Sequence, residues 1–209
     1  MDSAVGHLRR ALAASSEAER RLAHREFADG TPLLLDEAEV AGLTPSAVLV
    51  PLLVEGGAPR ILLTRRADHL RSHQGQVSFP GGRRDPEDDS LRAAALREAH
   101  EEVGLPPSQV EVLGYLDDQL TMSGYRMTPV VGVVRGAFEP VFDAGEVAEV
   151  FELPLAALLD EDFFLRRTFD RNGAEVSYWE LRHGPQLIWG ATAEVLWELR
   201  GILVGSSGT

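Results

Sequence analysis

The chain contains no cysteine. That excludes disulfides, a thiolate nucleophile and Cys-ligated zinc or iron–sulfur centres, and it fits a reducing compartment. Lysine is also missing, and all 20 basic residues are arginine. Schiff-base chemistry on lysine and the lysine of a phosphate-binding P-loop are therefore ruled out. No apolar run approaches the roughly 20 residues needed to span a bilayer. The opening stretch MDSAVGHLRRALAASSEAERR is charged throughout and lacks the apolar core of a signal peptide. The expectation is a soluble, cytoplasmic protein with no membrane partner. Positive charge is in deficit, with 33 acidic residues and a formal charge of -13. Such a field repels a nucleic-acid polymer or an anionic membrane as bulk partner.

What is present suits one globular domain. The 209 residues are 44% hydrophobic and 25% charged, enough apolar material for a core and too much for wholesale disorder. Residues 3–27 read as helical, with Leu8, Leu12, Leu22 and Phe27 as apolar anchors. Ser16 and Glu19 have capping-box spacing, which would split this stretch into two short helices. The expected division is an N-terminal helical segment over 1–30, a main domain over 31–204 and a frayed tail over 205–209. The first segment would pack on the domain or serve as a dimer arm, leaving monomer and homodimer open. Strands are expected at 47–54, 60–64, 110–116, 129–134, 163–169 and 175–181, with Asn172–Gly173 as a hairpin turn. Helices are expected over 91–103, stopped by Gly104, and over 192–202. Strands mixed with separated helices imply an α/β sandwich with a sheet that is not purely parallel.

The informative helix is LRAAALREAHEEVGL. Glu98, Glu101 and Glu102 stand at i, i+3 and i+4, on one face. Like charges at that spacing repel, and the C-terminal half of a helix disfavours negative charge. Two readings follow from spacing alone. One is a solvated acidic face with Arg92 and Arg97 as counter-ions. The other is a cluster of carboxylate oxygens compensated by a hard divalent cation. The opposite face, with Leu91, Ala94, Ala95, Leu96, Ala99 and Val103, suits packing on a sheet.

The run from Gly82 through Arg97-Glu98-Ala99-His100-Glu101-Glu102-Val103-Gly104-Leu105 resembles the signature of the Nudix hydrolase superfamily. The resemblance implies a Nudix-type α/β/α sandwich with a mixed β-sheet, and hydrolysis of a diphosphate linked to another moiety. It implies Mg2+ or Mn2+ as cofactor, with Glu98 and Glu102 as principal metal ligands. Glu101 would be a further ligand or would take the proton of the attacking water. The Gly82 carbonyl would complete the shell, and Arg97 would orient the carboxylates. One departure stands out: Gly82 and Arg97 are one residue further apart than in the usual pattern. Asp88 then fits the spacing of the outer acid from Gly82, and Asp89 fits it from Arg97.

Upstream, LLTRRADHLRSHQGQVSFPGG (62–82) resembles the extra signature of the coenzyme A pyrophosphatase branch, with Ala67 where serine is usual. Further segments down to IWGATA also resemble that branch. The implied substrate is coenzyme A or an acyl or oxidised form. The implied products are adenosine 3′,5′-bisphosphate and 4′-phosphopantetheine or its acyl form. Arginines suit such a ligand physically, because their forks pair with phosphate oxygens. Arg65, Arg66, Arg71, Arg83 and Arg84 crowd this stretch, the first four being the candidates, with Gly75, Phe79 and Tyr125 as further substrate contacts. Arg65 and Arg66, adjacent on a strand, cannot face the same side. Tyr125 either stacks on the ligand or packs its own loop. Glu146 and Glu149 are candidates for an additional catalytic carboxylate. His69 and His73 read as structural or solvent-facing, and Trp179, Trp189 and Trp197 as packing. ADP-ribose, NADH and dinucleoside polyphosphates are the competing substrates. A non-catalytic nucleotide-binding regulator is the competing class.

Overall fold

The computed structural model describes residues 2–33, 36–69, 74–171 and 173–205. Leu70, Arg71, His73, Asn172 and the tail from Ser206 lie outside the described residues, so the expectations placed on them stay with the sequence.

The chain opens with helix α1 (Asp2–Leu12) and a short helix α2 (Glu37–Ala41). Strands β1 (Thr44–Leu53), β2 (Arg60–Arg66), β3 (Val77–Ser78) and β4 (Gly81–Arg83) lead into helix α3 (Leu91–Val103). Then come β5 (Val110–Tyr115), β6 (Gln119–Leu120), β7 (Tyr125–Val134) and β8 (Val147–Pro154). A second unit, β9 (Phe164–Arg171), β10 (Ala174–His183) and β11 (Gln186–Trp189), precedes helix α4 (Ala191–Leu203).

The central sheet runs β3-β2-β1-β7-β5, with β8 beside β2, β4 beside β1 and β6 beside β7. β1 and β7 are parallel over ten residue pairs and the other described pairings are antiparallel, so the sheet is mixed. β1 and β7 are buried on both faces, as their near-continuous apolar runs require. Alternation then sorts side chains to two cores. Ala47, Leu49, Leu53, Leu62 and Val130 pack against Leu91, Ala95, Ala99 and Val103 of α3. Val48, Val50, Leu52, Ile61 and Leu63 pack on the opposite face with Leu8 and Leu12 of α1 and Val195, Leu196 and Leu199 of α4. This is the α/β/α sandwich. On the α4 side Trp197 stacks on Trp179 of β10, with ring centroids 3.9 Å apart.

The N-terminal expectation needs correction. Only 2–12 form an α-helix; Glu17–Glu19 is a single 3-10 turn, and the chain then continues without helix and doubles back through a turn at 27–31, where Phe27 N donates to the Thr31 carbonyl. Single bridges tie Leu22 to Asp118 and Phe27 to Val176. Ser16 makes no side-chain cap bond to the backbone of that turn, so the capping box does not form. Leu8 and Leu12 are buried as expected, whereas Leu22 is exposed. Backbone bonds to other segments outcompete a second helix whose spacing offered few apolar anchors. β8 is a full strand the sequence reading did not name, because VAEVFELP mixes exposed and buried positions without clean alternation.

Candidate active site

α3 is fixed at both ends. The Ser90 hydroxyl accepts from Ala93 N, a side-chain N-cap. Gly104 closes the helix at φ 73°, where a Cβ would lie 2.9 Å from the Val141 carbonyl. Apolar residues face the sheet, and the Glu98–Glu101–Glu102 side faces the β4 loop and the 143–146 segment.

Glu102 is nearly fully buried. Gly81 N donates to its Oε2 at 3.2 Å, and Arg66 Nη1 lies 3.9 Å from Oε1. Burial pushes the Glu102 carboxyl up to about 8, and the charges of Glu98 and Glu146 push the same way. Glu98 is raised too, chiefly by burial, against the pull of Arg97. Gly82 presses on Glu98: a Cβ there would sit 2.6 Å from the Glu98 carboxyl. Only a glycine lets the β4 backbone approach this closely.

Arg97 is the organiser. Its Nη1 donates to Glu98 at 2.9 Å and to Glu101 at 3.0 Å. Its Nε and Nη2 donate to the two oxygens of Asp88 at 3.1 and 2.9 Å, and Nη2 also reaches the Arg83 carbonyl at 3.2 Å. Hydrogen bonds from Arg97 hold the Asp88 carboxyl below the usual carboxylate range. This resolves the one-residue departure. Asp88 is buried and paired with Arg97, and Asp89 is exposed. The extra residue is absorbed in the turn, where Asp85 N donates to Asp88 and Arg84 donates to the Asp88 carbonyl.

The other site candidates divide by face. Arg66 shares its side of β2 with Leu62 and reaches Glu102. Arg65 lies on the other side with Ile61 and Leu63, paired to Asp68 at 2.9 Å and to Glu149 at 3.5 Å. Glu149 also accepts from Gln186 Nε2 at 2.8 Å. Arg65 and Glu149 therefore stand apart from the carboxylate cluster, because strand alternation turns them away. Glu146, at the start of the same segment, stays with the cluster and raises both Glu98 and Glu102. Gly75 (φ 63°) backs onto Asp68. Phe79 is a correction: its ring is buried in the α4-side core and is closed to any ligand. The Arg83 side chain is exposed beside the site. Tyr125 belongs to a closed loop, donating its N–H to the Thr121 hydroxyl, and no described contact links it to the carboxylates. Arg71 lies outside the described residues.

The donor set suits a hard cation. It offers carboxylate oxygens, one of them desolvated at Glu102, and a glycine backbone at contact distance from Glu98. Among the described residues no three carboxylates or imidazoles already converge as a cage. Arg97 donates to Glu98 and to Glu101, oxygens that a cation would also use. A cavity of about 690 Å³ on the opposite face, lined in part by Glu194, Trp197 and Glu198, contains none of these groups.

Arg84, one of the arginines read as suited to phosphate, instead braces Asp88. Sequence reading passed over Glu17, which bonds the first turn of α3. Nothing local in the sequence signals Glu17, which lies 74 positions from its partner Leu91.

Comparison with known proteins agrees with this geometry. A model of the NUDIX domain matches residues 43–172. A protein of Enterobacter sp. (strain 638), named as an uncharacterised Nudix hydrolase NudL, is 42% identical over 161 residues, covering 77% of this chain and 83% of that one. Its namesake from Yersinia pestis (strain Pestoides F) is 44% identical over 151 residues, covering 72% and 75%. Among solved structures, a MutT/Nudix family protein from Enterococcus faecalis aligns with a TM-score of 0.50 at 16% identity. That alignment covers 83% of this chain and 65% of the other, a likeness of fold.

Proposed function

Because the chain belongs to the Nudix hydrolase family, and is thus a pyrophosphohydrolase of small molecules, we propose that its substrate is coenzyme A or an acyl or oxidised derivative. The observation that carries this reading is the 62–82 segment, whose Arg66 reaches the Glu102 carboxylate. The products are adenosine 3′,5′-bisphosphate and 4′-phosphopantetheine or its acyl form.

Glu98 and Glu102 would hold Mg2+ or Mn2+, with Glu101 and the Gly82 carbonyl as further donors. When bound, the cation supplies charge neutralisation for the diphosphate and acidification of a coordinated water. The chain's own residues do the rest. Arg97, held by Asp88, keeps Glu98 and Glu101 aligned. Arg66 places positive charge beside Glu102, where a phosphate oxygen can accept from its fork. Glu146 brings a carboxylate to the rim of the cluster, positioned to take the proton of the attacking water. Glu101, the most exposed of the three helix acids, is the other candidate for that proton. Arg83, exposed on β4, and Arg71 supply charge for the remaining phosphates.

The test is a panel of coenzyme A, acetyl-CoA, oxidised CoA, ADP-ribose and NADH, each with Mg2+ and with Mn2+. Release of adenosine 3′,5′-bisphosphate from the CoA compounds at the highest kcat/KM is the expected result. Preferred cleavage of ADP-ribose or NADH overturns the substrate assignment, and no metal-dependent turnover of any diphosphate overturns the hydrolytic reading.

A further inference from the structure

α3 begins without an acidic residue in its first turn. Helix N-termini carry orphan N–H donors and partial positive charge, which nearby carboxylates complement. Here the missing carboxylate comes from elsewhere in the chain. Leu91 N donates to both oxygens of Glu17, at 3.0 and 3.1 Å. Ser90 takes the Ala93 N–H, so the two side chains share the exposed donors of this end.

The placement of Glu17 is braced on both sides. Before it, the Ser15 hydroxyl accepts from Tyr115 N at 2.8 Å, and the backbone at 12–15 lies so close to β5 that a Cβ on Gly114 would be 2.5 Å from the Leu12 carbonyl. After it, Arg20 donates to the Glu17 carbonyl at 2.8 Å and to the fully buried Asp118 at 3.1 Å. Arg126 and Thr128 of β7 also donate to Asp118. The segment from 12 to 20 is a strap pinned to β5 and β7, with Glu17 directed at α3.

We propose that Glu17 is a positioning residue for the metal-binding helix: through the Leu91 amide it fixes where α3 starts, and so where Arg97, Glu98 and Glu102 stand. The inference rests on the reading of Glu98 and Glu102 as metal ligands. Partners that orient ligands from outside the coordination shell matter because small misplacements at a metal site are costly.

The experiment titrates Mn2+ against the full-length protein without substrate, by calorimetry or by loss of the free-ion spin signal. It is paired with amide exchange over the first turn of α3 and with thermal melting. The variants are Glu17→Ala, Glu17→Gln and, as a control on strap docking, Arg9→Ala. Arg9 ties α1 to Glu111 of β5. Glu17→Ala should weaken Mn2+ binding about three- to tenfold and speed exchange at Leu91. Glu17→Gln, which keeps an acceptor oxygen without the charge, should fall between. Arg9→Ala should bind Mn2+ as the wild type does. Unchanged Mn2+ affinity in Glu17→Ala overturns the proposal, as does an equal loss in Arg9→Ala. Should Glu17→Ala not fold, wild-type affinity in Glu17→Gln overturns it instead. Failure of the wild type to bind Mn2+ rejects the ligand assignment itself, a different result.

Discussion

Glu102 on α3 and Glu198 on α4 make an instructive pair. They lie on opposite faces of one sheet, each on a 13-residue helix. Burial pushes both carboxyls up to about 8. A raised value alone would mark them equally as functional. Their company differs. Glu102 has Glu98 and Glu146 nearby, a guanidinium at 3.9 Å and a glycine backbone that donates to it. Glu198 has acidic neighbours too, Asp117, Asp118 and Glu194, but no guanidinium pairs with it among the described residues; it accepts from Asp117 N at 2.9 Å through one oxygen. Its other oxygen is buried without a hydrogen-bond partner among the described residues. Desolvation and acidic neighbours are common to both; the guanidinium of Arg66 and the close glycine backbone of β4 are what set Glu102 apart.

The sharpest way to break this comparison is to neutralise both acids. Glu102→Gln should cut metal-dependent turnover by at least about 10²-fold, while Glu198→Gln leaves kcat within about twofold. Comparable losses in steady-state assays of the two variants would erase the distinction. Gly82→Ala comes next. Its methyl group collides with the Glu98 carboxyl, so metal-dependent activity should drop about tenfold or more with little change in far-UV circular dichroism. Asp88→Asn removes charge from the Arg97 brace, and a loss of about tenfold in kcat/KM is expected.

The α4 side responds to pH rather than to metal. The folded value of Glu198, about 8, lies above the ordinary carboxylate value of 4.5. The folded chain therefore holds the extra proton between those values. The resulting stability is fully present below the unfolded pKa and is lost as pH rises through about 8. Melting temperatures from about pH 5 to pH 9 should fall more steeply for the wild type than for Glu198→Gln. Parallel slopes would show that Glu198 is solvated. The smallest effect belongs to Arg9→Ala. It breaks a partly exposed pair with Glu111, whose carboxyl Arg9 and Arg135 hold near 2, and should cost about 0.2–1 kcal/mol in denaturant melts.

Much of the catalytic face was legible in the sequence because its signals are local. The Glu98–Glu101–Glu102 spacing, the Gly104 stop and the apolar stripe of α3 lie within one helix, and the helix bounds come out as read. The opposite orientation of Arg65 and Arg66 followed from strand alternation, although which of them would meet the carboxylates did not. That choice depends on which face α3 covers. Phe79 was misassigned because its motif neighbours, Gly81 and Gly82, line the site while the ring points into the other core. Strand β8 and the non-helical course of 20–33 were not legible, since bridges to residues far along the chain, Asp118 and Val176, help decide the latter and pairing with β2 decides the former. Asp88 was ambiguous by counting and resolved only by its two bonds to Arg97.

The stack of Trp179 on Trp197 has an optical consequence. Two of the three tryptophans in the chain lie face to face, 3.9 Å apart at an interplanar angle of 25°, while the third, Trp189, is exposed. Indoles this close share their excited states, so their near-ultraviolet dichroism reports the join between α4 and the three-stranded sheet. Since α3 carries no tryptophan, unfastening of the C-terminal helix has its own spectroscopic clock, separate from events at the carboxylates.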